Sequence, residues 1–139
     1  YYLLTVIIYF FNLKQMELSI IFLIIILIFF SPLILGLIFM GAQKKINLKH
    51  TNSSLNKPGY VGYCWTYFFF SFFVPIFRGE ILIGVLHLIF SVVTFGLFQL
   101  VIPFLYNKQF TSRMLTSGWE LSDTEENMQV ARLKLGIGN

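Results

Sequence analysis

The segment from Leu18 to Met40 reads LSIIFLIIILIFFSPLILGLIFM and carries no charge along its whole length. As a helix rising ~1.5 Å per residue it covers the ~30 Å hydrocarbon core of a bilayer, so it reads as a first transmembrane helix over 18–40. Pro32 and Gly36 are poor choices for a helix in water, yet both are tolerated in membrane helices. A cleaved signal peptide fits badly. The run exceeds the ~7–15 residues of an h-region, and the early charge next to Met16 is Glu17 rather than a basic cluster. Met16, the first methionine, stands just before the run and suggests initiation there, with 1–17 an N-terminal extension. If native, Tyr1–Leu13 is too short to span and would lie in the interface or extend the helix outward.

Composition sharpens the class. Hydrophobic residues make up 57% of the 139-residue chain and charged residues 12%, where soluble domains carry about a quarter charged. One small domain cannot bury that much apolar surface, so the excess is expected to face lipid. The net charge of +4 does not read as a nucleic-acid footprint, because the bases sit just beyond the ends of apolar runs. Cys64 is the single cysteine and allows no internal disulfide. The segment 41–59 holds Lys44, Lys45, Lys49 and Lys57 without an acid, so it is expected to be a basic cytoplasmic loop. Its Asn52-Ser53-Ser54 sequon would not be used there.

The second apolar region spans 60–106. YVGYCWTYFFFSFFVPIF is followed by Arg78-Gly79-Glu80 and then by ILIGVLHLIFSVVTFGLFQLVIPFLY. One helix through both runs would be ~70 Å long, so the chain must turn, and Arg78, Gly79 and Glu80 are the natural hairpin turn. The first arm is just long enough to span; the alternative is that it re-enters without crossing. Tyr60, Tyr63, Trp65 and Tyr67 at one end, with Tyr106 and Trp119 at the other, read as interface anchors. A hairpin brings both groups beside Lys108 and Arg113, which join the positive-inside set. The expected topology has the N-terminus and Arg78–Glu80 outside, with 41–58 and the C-terminus inside. Gly84, His87, Ser91 and Thr94 share one helical face, expected to pack on Gly62, Thr66 and the ridge of Phe69, Phe70 and Phe73. His87 reads either as a neutral histidine bonded across the hairpin or as a proton-carrying group, and Gln99 has a weaker claim. The tail 107–139 is expected to be cytoplasmic, with an interfacial stretch 107–117 and a short helix 122–135 opened by a Ser122–Glu125 capping box. Met128, Ala131 and Leu135 would share a face of that helix.

The fold class is thus an all-α membrane protein of about three transmembrane helices, including a tight Phe-rich hairpin, plus a short cytoplasmic C-terminal helix. Chemistry is sparse. No metal-ligand spacing, G-x-S-x-G frame or phosphate loop is present, so neither cofactor nor metal nor catalytic residue is expected. The stretch GYCWTYFFFSFFVPIFRGE, a long apolar helix, FLYNKQF and the later SGWE resemble the HrgC-like small membrane proteins of bacteria and their phages. Those share a Trp–Thr, Phe-rich first helix, an Arg-Gly-acid turn and a Tyr-Asn-Lys exit. The resemblance covers about Gly59 to Glu120 and implies a membrane hairpin without implying a biochemical role. The helix at 18–40 departs from the simplest hairpin members.

Function is therefore expected to be non-enzymatic and exerted through contacts within the membrane, such as modulation of an envelope complex or exclusion of other phages. The expected location is multi-pass in the bacterial inner membrane. The expected partners are the lipid bilayer, other membrane proteins or a second copy, and no nucleic acid. A holin-like pore former is the alternative, though such tails are strongly basic and this one holds Glu120, Asp123, Glu125 and Glu126. A small channel or carrier subunit using His87 is a further alternative.

Overall fold

The computed structural model describes residues 1–138 as two units, Tyr1–Ile34 and Leu35 onward. Helix α1 runs unbroken from Tyr2 to Met40, 39 residues, so the early apolar stretch extends the expected span and Lys14 and Glu17 lie within the helix. It is long and apolar enough to cross a membrane. Pro32 deprives the Ile28 carbonyl of its helical N–H donor, and the Ser31 hydroxyl donates to that carbonyl at 2.8 Å instead.

The segment after α1 is not a loop. Strand β1 (Lys44–His50) and strand β2 (Asn56–Val61) form an antiparallel hairpin, in register Ile46 opposite Gly59 and Leu48 opposite Lys57. Strand β3 (Trp119–Leu121) joins the other edge of β1, giving the order β2-β1-β3. Along β1 the burial alternates: Ile46 and Leu48 are buried, whereas Lys45, Asn47 and Lys49 are exposed. That is the period-two pattern of a sheet with one wet face. Pro58 sits on the edge strand, where its missing N–H breaks no central ladder.

Five helices complete the second unit: α2 (Trp65–Phe70), α3 (Phe73–Phe77), α4 (Ile81–Val93), α5 (Phe98–Thr116) and α6 (Glu125–Leu135). Helix α6 starts later than expected. Its cap is Thr124, whose hydroxyl accepts from the Asn127 N–H, and Gly136 closes it in the left-handed conformation at φ +75°. Ile46, Val61, Ala131 and Leu135 form a core between sheet and α6, and a second core joins Cys64, Tyr67, Val74, Ile102, Tyr106 and Phe110.

The architecture is therefore mixed α/β, and the all-α reading with about three transmembrane helices is overturned. Among the described residues, α1 alone is long and apolar enough to span, so the multi-pass location has no support from the helices. The reason is geometric. The first arm breaks into two short helices at Ser71, where φ is +48°, and α4 has 13 residues, a rise of ~20 Å against the ~30 Å required.

Candidate functional site

The turn expected at the far side of a bilayer instead folds back onto the sheet end of the unit. Arg78 lies with its guanidinium carbon 3.9 Å from the Tyr60 ring centroid and 5.0 Å from those of Tyr106 and Phe110. It donates to Asn107 Oδ1 at 2.9 Å, and a longer contact reaches Cys64 Sγ at 3.7 Å. Planarity suits arginine to such a stack of rings, since its faces meet π-clouds while its edge still donates. Two residues on, Glu80 accepts two bonds from Arg113, from Nε and Nη2, each at 2.7 Å, and a third from the Tyr106 hydroxyl at 3.0 Å. Bidentate pairing of this kind is among the stronger polar contacts available to a protein.

Asn107 extends the network inward. Its amide donates to the Gly62 carbonyl at 3.1 Å and to Gln43 Oε1 at 3.2 Å, and Thr66 donates to the same Gln43 oxygen. Thr111, fully buried, accepts from the Tyr60 N–H at 2.8 Å and donates to the Tyr60 carbonyl at 2.7 Å. It thereby satisfies both polar groups of an edge-strand residue that has no further strand beside it. The Cys64 N–H donates to the Pro103 carbonyl. Burial, and then the charge on Glu80, hold the Tyr106 phenol protonated well above its ordinary range.

The sequence-marked residues are redistributed by this geometry. Arg78 and Glu80 of the turn, Tyr60 and Tyr106 of the anchors and Arg113 of the basic set meet in one cluster. Gly79 supplies the turn at φ +85°. Tyr63, Tyr67 and Tyr106 are fully buried rather than at a boundary. Tyr63 packs on Gly36 and edge-on to Phe104, and burial pushes its phenol up to about 12. Trp65 is exposed, while Trp119 sits in β3 with its ring against His50 and under Lys57. Lys44, Lys45 and Lys49 lie on β1, and Lys108 is exposed on α5.

On α4, Gly84 is buried where Ile76 of α3 leaves no room for a side chain. His87 shares a hydrogen bond of 2.9 Å with the Tyr67 hydroxyl and is ringed by Tyr67, Phe98 and Tyr106. Thr94 closes α4, and its hydroxyl accepts from the Phe98 N–H at the start of α5. Gly62 and Thr66 face Ala42 and Gln43, not this side of α4. Gln99 donates to the Phe68 carbonyl at 2.7 Å. Sequence reasoning missed Gln43, Asn107 and Thr111. On α5 the signal was present: Pro103, Tyr106, Asn107, Phe110 and Thr111 recur at three- and four-residue steps and are all buried.

Away from this polar cluster, the surface of α2, α3 and α4 is apolar. Phe69, Phe70, Phe73 and Phe77 project from α2 and α3, and most of α4 is exposed although none of its residues is charged. The turn from α4 to α5 carries Phe95, 96% exposed and with φ +51°. A bulky residue at positive φ is uncommon, and here it is spent on presenting a ring outward. Among the described residues no group of three or more His, Cys, Asp or Glu is arranged to hold a metal ion. Comparison with protein-family models, with curated proteins and with solved structures finds no match.

Proposed function

We propose that this chain is a non-enzymatic integral membrane protein that acts through contacts inside the bilayer. Helix α1 is its spanning anchor, and α2–α4 with the first turns of α5 form a re-entrant wedge sunk into one leaflet. The observation that carries the proposal is the gradient along α4. Glu80 at its start is held by Arg113 and Tyr106, while just beyond its other end the apolar side chains of Phe95 and Leu97 are exposed. Each such side chain forfeits ~1.5–3 kcal/mol in water relative to burial, so a face of this extent calls for an apolar cover. Lipid supplies that cover without requiring α4 to cross.

The resemblance to HrgC-like proteins belongs to this proposal, and with it a bacterial or phage source and a cytoplasmic placement of sheet and C-terminus. Lateral packing on an envelope complex, or exclusion of other phages, is the mode of action it favours. The enclosure of His87 by aromatic rings gives a carrier role little support. The test is depth. An environment-sensitive fluorophore at Phe95→Cys in a Cys64→Ser background should be quenched by lipids brominated along their chains and shielded from aqueous iodide. Iodide quenching with no effect of brominated lipid would sink the wedge.

A further inference from the structure

Where α1 gives way to the sheet, the second unit carries a cavity of ≈ 220 Å³ whose walls include Phe39, Met40, Val61 and Leu135 and whose rim holds Lys108 and Lys134. Among the described residues no carboxylate lines it. Lys134 donates to the Met40 carbonyl at 2.7 Å, one of the acceptors left open at the end of α1, which fixes its ammonium over the cavity with donors to spare. The Lys108 ammonium approaches from α5 and lies 3.6 Å from where a Cβ on Gly136 would be. Gly136 can occupy its left-handed position without filling that space.

We infer that this cavity binds the phosphate headgroup of an anionic phospholipid, with the upper acyl chain against Phe39 and Leu135. The inference rests on the membrane anchoring by α1 proposed above. Two features select this occupant. The walls are apolar side chains at the exit of the apolar helix, where a membrane anchored by α1 would bring lipid chains. Lys108 and Lys134 form no ion pair among the described residues, so the rim presents two cations that match a phosphodiester with net negative charge. Among the described residues that line it, no carboxylate is there for the choline of a zwitterionic lipid. A soluble phosphate would satisfy the lysines but leave the apolar wall bare.

The experiment reconstitutes the full chain in phosphatidylcholine vesicles containing a minor fraction of phosphatidylglycerol, extracts it gently and measures retained lipid by mass spectrometry. The expected result is selective retention of phosphatidylglycerol, reduced about fivefold by Lys108→Gln or by Lys134→Gln. The pair Lys45→Gln/Lys49→Gln, which removes charge from the exposed face of β1, should leave retention unchanged. Lys134→Gln also removes the contact to Met40, so Lys108→Gln, which spares it, is the decisive variant. Equal retention of phosphatidylcholine, equal loss on neutralising Lys45 and Lys49, or release by millimolar inorganic phosphate would each overturn the inference. The depth of a label at Phe95 is read separately, so failure of the wedge and failure of this site are distinguishable.

Discussion

Replacing Glu80 by alanine isolates the contribution of the polar cluster. Glu80 is the N-cap of α4 but makes no side-chain capping bond, so the substitution removes no helix cap. It removes the acceptor of both Arg113 bonds and of the Tyr106 hydroxyl. Losing one partner of a fully buried pair costs ~3–5 kcal/mol. The Arg113 side chain is 37% exposed and can turn to water, which lowers its share to ~1 kcal/mol. Tyr106 is fully buried, and its stranded hydroxyl adds ~1–3 kcal/mol.

A total of about 2–4 kcal/mol is expected, and Cys64 offers a built-in reporter. Its thiol is fully buried and does not touch Glu80, so modification by a maleimide reports the opening of the whole cluster. In reconstituted protein the rate should rise roughly 30- to 1000-fold in Glu80→Ala. In an Arg113→Met background the same change should cost less, leaving mainly the Tyr106 penalty. A rise below about threefold, or full additivity with Arg113→Met, would refute the assignment of Glu80 as the joint between the turn and α5.

Three further outcomes are expected. Gly36→Val would drive a side chain into the Tyr63 ring, and a destabilisation of ~1–3 kcal/mol should appear in thermal melts of the full chain. Gly84→Val meets Ile76 in the same way and should loosen α3 from α4, detectable as faster amide exchange in Val74–Phe77, with sheet amides unchanged. The Asp123 carboxyl titrates below the ordinary carboxylate range because it accepts from the Asn127 side chain and from the Asn47 and Thr124 N–H groups. A depressed folded value means its stabilisation is complete above the unfolded value and is lost as pH falls through the folded one. The protection factor of the Asn47 amide, its exchange rate relative to the intrinsic rate at the same pH, should therefore fall on acidification, and Asp123→Asn should flatten that dependence.

What the sequence made legible was the apolar helix and the direction of chain reversal at Arg78–Glu80. Length without charge is a one-dimensional property, and α1 follows from it directly. The turn followed from two charges and Gly79 between apolar runs, but its location in space did not. Apolar count alone cannot separate a helix that crosses from two that dip and return, because both satisfy the same lipid-facing surface. Ser71 breaks the first arm through a positive φ that its residue type does not advertise. The sheet was missed because four lysines drew attention to orientation, while Ile46 and Leu48 alternated between Lys45, Asn47 and Lys49 unremarked. Tyr67 and Tyr106 were read as boundary residues from their places near the ends of the apolar runs, yet each lies fully buried with a partner for its hydroxyl, His87 in one case and Glu80 in the other.

In the proposed wedge, the Arg78–Glu80 turn lies at the same end of the unit as the basic hairpin, with α2–α4 entering the membrane and returning. Lys57, Arg78, Glu80 and Trp119 line one cavity, so this placement is directly accessible to labelling. Single cysteines at Ser53, Gly79 and Phe95 in a Cys64→Ser background should be probed in sealed, uniformly oriented membranes with an impermeant maleimide. Ser53 and Gly79 are expected to react from the same face and Phe95 from neither. Reaction of Ser53 and Gly79 from opposite faces would contradict it and restore a crossing hairpin.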